Sequence, residues 1–265
     1  MVLLILSMAG CSSNDNEMNN NHSSSSQTAV LEFKANGEDF VRQGFTSKDG
    51  WDISFDKVYL TLSDIKAYIT DPPYEPDSEE AIMSSDYPSL PGTFTVDLAE
   101  GGEEADPIRV GEVAAPLGFY NALSWQMLQA PSGEAMGHSI LMQGTACKDD
   151  KILPFKIGIS KEYQYYAGEF IGDERKGIVA ADSPADLEMT FHFDHIFGDG
   201  ELPADDGLNT AALGFDPFAE LAEKDQVITE EVLAEHLSAA EYQQYLAMLP
   251  TLGHVGEGHA FAVEL

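Results

Sequence analysis

Trp51-Asp-Ile-Ser-Phe-Asp-Lys-Val-Tyr-Leu-Thr-Leu62 is the stretch whose reading decides the fold. Trp51, Ile53 and Phe55 fall on one face, and acidic or small residues fall opposite, the period-two alternation of a half-buried strand. The pattern continues through Ser63-Asp-Ile-Lys-Ala-Tyr-Ile69, so a long strand is expected. Upstream, Val30-Leu-Glu-Phe-Lys-Ala35 alternates and stops at Asn36-Gly37, a hairpin signal. Downstream, residues 71–91 are rich in Pro, Asp, Glu and Ser and predict a surface loop. Thr93–Leu98 and Ile108–Val113 follow as strands.

A Pro-x-Gly turn at 116–118 delivers a strand with Leu123, Trp125 and Met127 on one side. Ser139–Ala146 and Lys151–Ile159 read as paired strands joined across Cys147–Asp150, and Asp186–Phe193 closes the series. Short strands at this spacing, separated by turn residues, predict a mainly β fold, an antiparallel β-sandwich. After residue 210 the period changes to that of a helix. Asp216 can cap a helix over Pro217–Glu223, with Pro at the first helical position. Thr229 can cap Glu230–Leu237. Ser238 with Glu241 forms a capping box opening Ala239–Leu249, whose Tyr242, Tyr245, Leu246 and Leu249 make one apolar stripe. The expectation is a single domain over 29–265 with a C-terminal helical segment at about 216–249 and a last strand at Phe261–Leu265.

The N-terminal run, Met1-Val-Leu-Leu-Ile-Leu-Ser-Met-Ala-Gly-Cys11, is shorter than the ~20 apolar residues that span a bilayer. It suits a signal peptide over 1–10. Met8-Ala9-Gly10-Cys11 resembles the lipobox of bacterial lipoproteins, which implies lipidation at Cys11. Met8 stands where that motif usually has Leu, and no Lys or Arg precedes the apolar run. Residues 12–28 are polar and of low complexity, so 11–28 is expected to be a lipidated tether, with His22 an ordinary tether residue. The implied location is the bacterial cell envelope, periplasmic or on the outer surface. The membrane would be met through the lipid alone, with a protein partner in the envelope as a further expectation.

Acidic residues outnumber basic ones by 46 to 13, for a net charge of −33. Such a chain repels nucleic acid and anionic lipid headgroups and concentrates cations. With 43% hydrophobic and 10% aromatic residues it still holds enough apolar material for a sizeable core. Of its two cysteines, Cys147 has no intramolecular partner once Cys11 is lipidated, so a buried thiol is expected there.

Among seven histidines, two pairs stand in unusual surroundings: His192-Phe-Asp-His195 and His254-Val-Gly-Glu-Gly-His259. On a continuing strand His192 and Asp194 would share a face that His195 would not, so both imidazoles reach one ion only if the chain bends at Asp194 or His195. In the second pair, Gly253, Gly256 and Gly258 let the backbone curl and bring His254, Glu257 and His259 together. Imidazoles with carboxylates suit zinc, copper, nickel or iron. Asp194 and Glu257 serve equally as partners that orient the rings. The resulting expectation is a transition-metal site, copper or zinc, built from His192, His195, His254, His259, Glu257 and Asp194. A lone histidine such as His192, between Phe191 and Phe193, would read as ordinary core; two acid-containing pairs shift the balance.

His138, with thioethers from Met127, Met136 and Met142, is a subsidiary set, although methionines near strands usually fill core. His236 reads as structural. Asp199, Glu201, Asp205, Asp206 and Asn209 offer hard oxygen within one loop, enough for calcium but without EF-hand spacing, so a solvated acidic turn is the first reading and a calcium loop the second. No Gly-x-Ser-x-Gly elbow, phosphate-binding glycine loop, His-Glu-x-x-His helix or haem-attachment motif occurs.

Residues Gly50–Thr70, the Val96-Asp-Leu98 strand and the Pro116-x-Gly-x-Tyr120 turn resemble those of periplasmic β-sandwich lipoproteins, among them the methanobactin-operon periplasmic copper-binding family. The resemblance covers about the first two-thirds of the folded region. It implies copper binding outside the cytoplasm, and no ligand transfers from it residue by residue. Metal uptake, storage or delivery is therefore the expected function. A surface-binding module without metal and a metal-dependent hydrolase are the alternatives.

Overall fold

The protein is described by a computed structural model over residues 27–224 and 227–265. Cys11 and His22 lie outside the described residues. In chain order the strands are β1 (Thr28–Asn36), β2 (Phe45–Thr46), β3 (Asp52–Tyr68), β4 (Ser89–Asp97), β5 (Ile108–Pro116), β6 (Gly118–Phe119) and β7 (Ala122–Met127). They continue as β8 (Ile140–Lys148), β9 (Lys151–Ile159), β10 (Tyr163–Ala167), β11 (Ile178–Val179), β12 (Ala185–Phe191), β13 (Gly253–Val255) and β14 (Gly258–Glu264). The helices are α1 (Glu38–Gln43), α2 (Asp194–Phe197), α3 (Gly207–Ala211), α4 (Asp216–Ala222), α5 (Glu230–His236) and α6 (Ala239–Met248). The fold is mainly β, 43% strand and 19% helix, with one large curled sheet and a helical segment near the C-terminus. No helix among the described residues is long and apolar enough to cross a membrane.

β3 organises that sheet. Its first half pairs with β8 and its second half with β7, while β2 and β4 take its other edge. Register breaks near Asp56 and Asp64 make this possible, because each bulge adds a residue and bends the strand. They also reset the alternation. Trp51 and Ile53 are buried before the first break, Val58, Leu60 and Leu62 after it, and Ile65 and Ala67 after the second.

The hydrogen-bonded path runs β5-β1-β12-β13-β14-β10-β7-β3-β8-β9. β1 and β12 are parallel, and the other ladders of the path are antiparallel. β14 is the join, meeting β13 with its first residues and β10 with the rest. Trp125 and Tyr165 stack at a 5.1 Å ring separation and pack against Phe191 beneath it.

Local chemistry sets the element ends. The β8–β9 hairpin turns at Asp149-Asp150 with Asp149 in the left-handed region, and Cys147 sits half-buried beside the turn. Thr229 accepts the Val232 N–H, and the Ser238–Glu241 capping box is present. Two signals resolve differently. Asn36-Gly37 opens helix α1 rather than a hairpin, because the Asn36 side chain accepts the Glu38 N–H. Asp216 is the first helical residue rather than the cap. Asp49 accepts the Phe215 and Asp216 N–H groups, which leaves Asp216 to receive the Trp51 indole at 2.7 Å. The C-terminal helical segment also begins earlier than 216, with the short turns α2 and α3. Phe197, Phe215, Phe218 and Tyr245 form an aromatic chain that holds α2, α4 and α6 together.

Candidate metal centre

The ladder β12–β13–β14 sets Thr190 opposite His254 and His254 opposite His259. Residues two apart on a strand share a face, so His192 comes to the side of Thr190 and stands diagonally beside His254. Its own N–H still donates to Leu252 O at 3.0 Å, which keeps it aligned with β13. The chain then leaves the strand at Phe193, whose φ of −83° and ψ of −14° are helical, and α2 carries His195 back over the others. The bend falls one residue earlier than Asp194, the earliest position expected for it. Gly198, with a positive φ, ends the turn.

The four imidazoles expected from the two pairs meet in space. Ring centroids are 4.2 Å apart for His192–His254, 5.1 Å for His195–His254, 5.7 Å for His192–His195 and 4.9 Å for His254–His259. Two imidazoles bound to one tetrahedral ion at ~2.1 Å would place their centroids roughly 5 Å apart. Asp194 joins two of them: ligand-capable atoms of His192, Asp194 and His195 all lie within 4.8 Å of one another, a close group that does not include His254 or His259.

Hydrogen bonds fix which ring nitrogens are free. His254 Nε2 stands 3.0 Å from Thr251 O, and a carbonyl can only accept, so Nε2 carries the proton and Nδ1 the lone pair. Thr251 Oγ1 donates its single proton to Met248 O at 2.8 Å. The 2.8 Å contact from His195 Nδ1 to that hydroxyl therefore has the ring as donor, leaving His195 Nε2 as the lone-pair atom.

Burial and then the other imidazoles lower the pKa of both rings, His195 to about 4 and His254 to about 3. Both are neutral at pH 7, the form that ligates metals. Burial raises the Asp194 carboxyl, against the influence of His192. Two atoms of this group, His254 Nδ1 and Asp194 Oδ1, are buried with no hydrogen-bond partner.

His259 and Glu257 are exposed at the rim. His259 borders a cleft of about 700 Å³ whose other walls include Tyr74, Asp77, Phe170 and Arg175. The Glu257 N–H donates to Ile171 O at 2.8 Å and anchors the hairpin tip to that wall.

Other expected residues lie elsewhere. His138 packs over Gly158, Met127 and Met142 are fully buried in the core, and Met136 is 65% exposed. His236 pairs with Glu220 at 3.1 Å. In the acidic loop, Asn209 is turned inward, its side chain bonded to the backbone of Asp199, Leu202 and Pro203. Asp206 caps α3, and Asp199 accepts the Glu201 N–H. These groups serve the loop's own backbone, and Asp205 makes no side-chain hydrogen bond among the described residues.

Two contributors carry no sequence signal. Thr251 stands between Pro250 and Leu252 in a short 3-10 turn. Glu38 follows Asn36-Gly37, and its carboxylate lies 3.5 Å from His192 Nε2. Burial raises the Glu38 carboxyl, His192 opposes that rise, and Glu257, Asp194 and Glu188 add to it.

The chain matches no family model, no curated protein and no solved structure.

Proposed function

We propose that this protein binds a divalent transition metal, zinc or copper(II), through His192, His195, His254 and Asp194, with His259 and Glu257 on the exposed side. The observation that carries the reading is the pair of buried, unpartnered acceptors, His254 Nδ1 and Asp194 Oδ1, within a cluster of imidazoles. Leaving a buried acceptor unsatisfied costs about 1–3 kcal/mol. A cation held by His192, Asp194 and His195 would satisfy the Asp194 oxygen and compensate its charge. The His254 ring, with its centroid 4.2 Å from that of His192, would turn its free Nδ1 to the same ion. His138 Nδ1 is likewise buried and unpartnered, so what sets the His254–Asp194 pair apart is the clustering of further imidazoles around it. Calcium belongs to oxygen-only cages and does not suit these donors.

The candidate thioethers do not form part of the site, since Met127 and Met142 are in the core and Met136 is largely exposed. Nitrogen and oxygen ligands favour zinc(II) or copper(II) over copper(I). The exposure of His259 beside the cleft supports exchange of the ion, hence uptake, storage or delivery. The same open side would admit a substrate, and metal-assisted hydrolysis is the second reading.

We read the curled sheet as a sandwich, with β5-β1-β12-β13-β14 as one layer and β10-β7-β3-β8-β9 as the other. We place the protein in the cell envelope with Cys11 as its lipid anchor, in keeping with the resemblance to periplasmic copper-binding lipoproteins.

Equilibrium dialysis of the purified protein against zinc and then copper(II) tests the metal. The expected result is about one equivalent bound, lost in His254→Ala and in His195→Ala. Metal content that is negligible, or unchanged by both substitutions, would overturn the proposal.

A further inference from the structure

Glu38 occupies a position that a glutamate has no local reason to hold. Its φ is +56°, a left-handed conformation uncommon for side chains other than Asn, Asp and Gly. Backbone strain of this kind persists only where surrounding structure imposes it, and such residues cluster at functional sites.

The imposing structure can be named. β1 runs parallel to β12 with Asn36 opposite Thr190, so the chain leaving β1 arrives beside His192. The Asn36 side chain accepts the Glu38 N–H at 3.0 Å and donates to Glu188 Oε1 at 2.8 Å. Lys176 in turn donates to Glu188 Oε2 and reaches Asp186 at 3.2 Å. A Cβ at Gly37 would come within 2.4 Å of Val41, which keeps that linking residue small. This brace aims the Glu38 carboxylate at His192. The other neighbour of His192 Nε2 is Gly256 O at 3.4 Å. Both neighbours only accept, so Nε2 is the protonated nitrogen.

We propose that Glu38 is a positioning residue of the metal centre, receiving the Nε2 proton side of His192 so that Nδ1 presents its lone pair to the ion. The inference rests on the reading of the cluster as a metal site. Carboxylate–imidazole–metal arrays of this kind orient the ring and raise its basicity.

The test compares wild type with Glu38→Gln and Glu38→Asn. Zinc affinity is measured by competition with a chelating dye, the ligand field by the visible spectrum of the cobalt(II)-loaded protein, and the fold by metal-free melting. Losing an outer carboxylate costs about 10–100-fold in affinity. The expected result is a loss of that size in both variants, with about one equivalent still bound and the cobalt bands shifted. The metal-free melting temperature should be no lower than wild type, because both variants remove a carboxyl crowded by Glu257, Asp194 and Glu188, and Glu38→Asn also suits the left-handed backbone. Wild-type affinity and spectrum in both variants would overturn the proposal, as would a loss of affinity accompanied by a matching fall in metal-free stability. Complete loss of binding in Glu38→Gln would also overturn it, making Glu38 a direct ligand. Failure of wild type to bind zinc and copper would instead remove the underlying metal reading.

Discussion

Thr251 orients two imidazoles with two different groups. Its carbonyl takes the His254 Nε2 proton, and its hydroxyl takes the His195 Nδ1 proton while donating to Met248 O. Only the hydroxyl can be removed by substitution. Thr251→Val keeps the side-chain shape and the backbone carbonyl but leaves His195 Nδ1–H without an acceptor. Zinc affinity should fall about 10–100-fold at unchanged stoichiometry, as is usual when an outer partner of a metal ligand is lost. Thr251→Ser should restore most of it. A dye-competition titration decides the matter: equal affinity for Val and Thr at this position would show that the hydroxyl does not orient His195.

The β13–β14 hairpin brings half of the imidazoles to the cluster, and its turn depends on one glycine. Gly256 has a φ of +59° and stands first of the two residues between the paired Val255 and Gly258, where type II′ turns place glycine. A Cβ there would lie 1.9 Å from Ile171 O. Gly256→Ala must therefore displace the hairpin or the 170–172 segment. A loss of about 2–4 kcal/mol is expected in denaturant unfolding of the metal-free protein, together with weakened metal binding as His254 and His259 shift. Wild-type stability and metal binding in this variant would contradict the dependence of the site on the turn.

At this same scale the division between what the sequence disclosed and what it withheld is clear. The β8–β9 hairpin, the Thr229 cap and the Ser238–Glu241 box rest on residues within a few positions of one another, so their signals are legible locally. Both histidine pairs stand out for the same reason. Their meeting depends on the β12–β13 ladder, which joins residues about sixty positions apart, and no local pattern encodes that register. Glu38 is hidden more deeply, because its place beside His192 follows from a parallel pairing between the first and twelfth strands. Asn36-Gly37 misleads for a related reason. The turn dipeptide is present, but its amide side chain serves the brace on Glu38 rather than a hairpin.

Over the whole molecule the charge of −33 draws cations toward the surface, while the site keeps His195 and His254 neutral. An unfolded chain protonates histidine near pH 6.5, whereas folded His195 and His254 resist protonation down to about 4 and about 3. Between about pH 6.5 and pH 4 the unfolded state thus binds more protons, and metal-free stability falls as pH falls, by up to about 1.4 kcal/mol per pH unit for each histidine. The raised carboxyls of Glu38 and Asp194 act in the opposite sense, since the folded protein retains protons there that the unfolded chain releases above about pH 4. Comparison of wild type with His254→Gln isolates the histidine contribution. The drop in metal-free melting temperature from about pH 7 to about pH 5.5 should be smaller in the variant, and equal drops would show that His254 is not held neutral. The central claim, that these rings converge on one ion, is tested most directly by X-ray absorption at the zinc edge of protein loaded with one equivalent. The account predicts nitrogen and oxygen neighbours at about 2.0–2.1 Å with outer-shell scattering from at least three imidazoles. A sulfur shell at about 2.3 Å, or a spectrum without imidazole scattering, would contradict it.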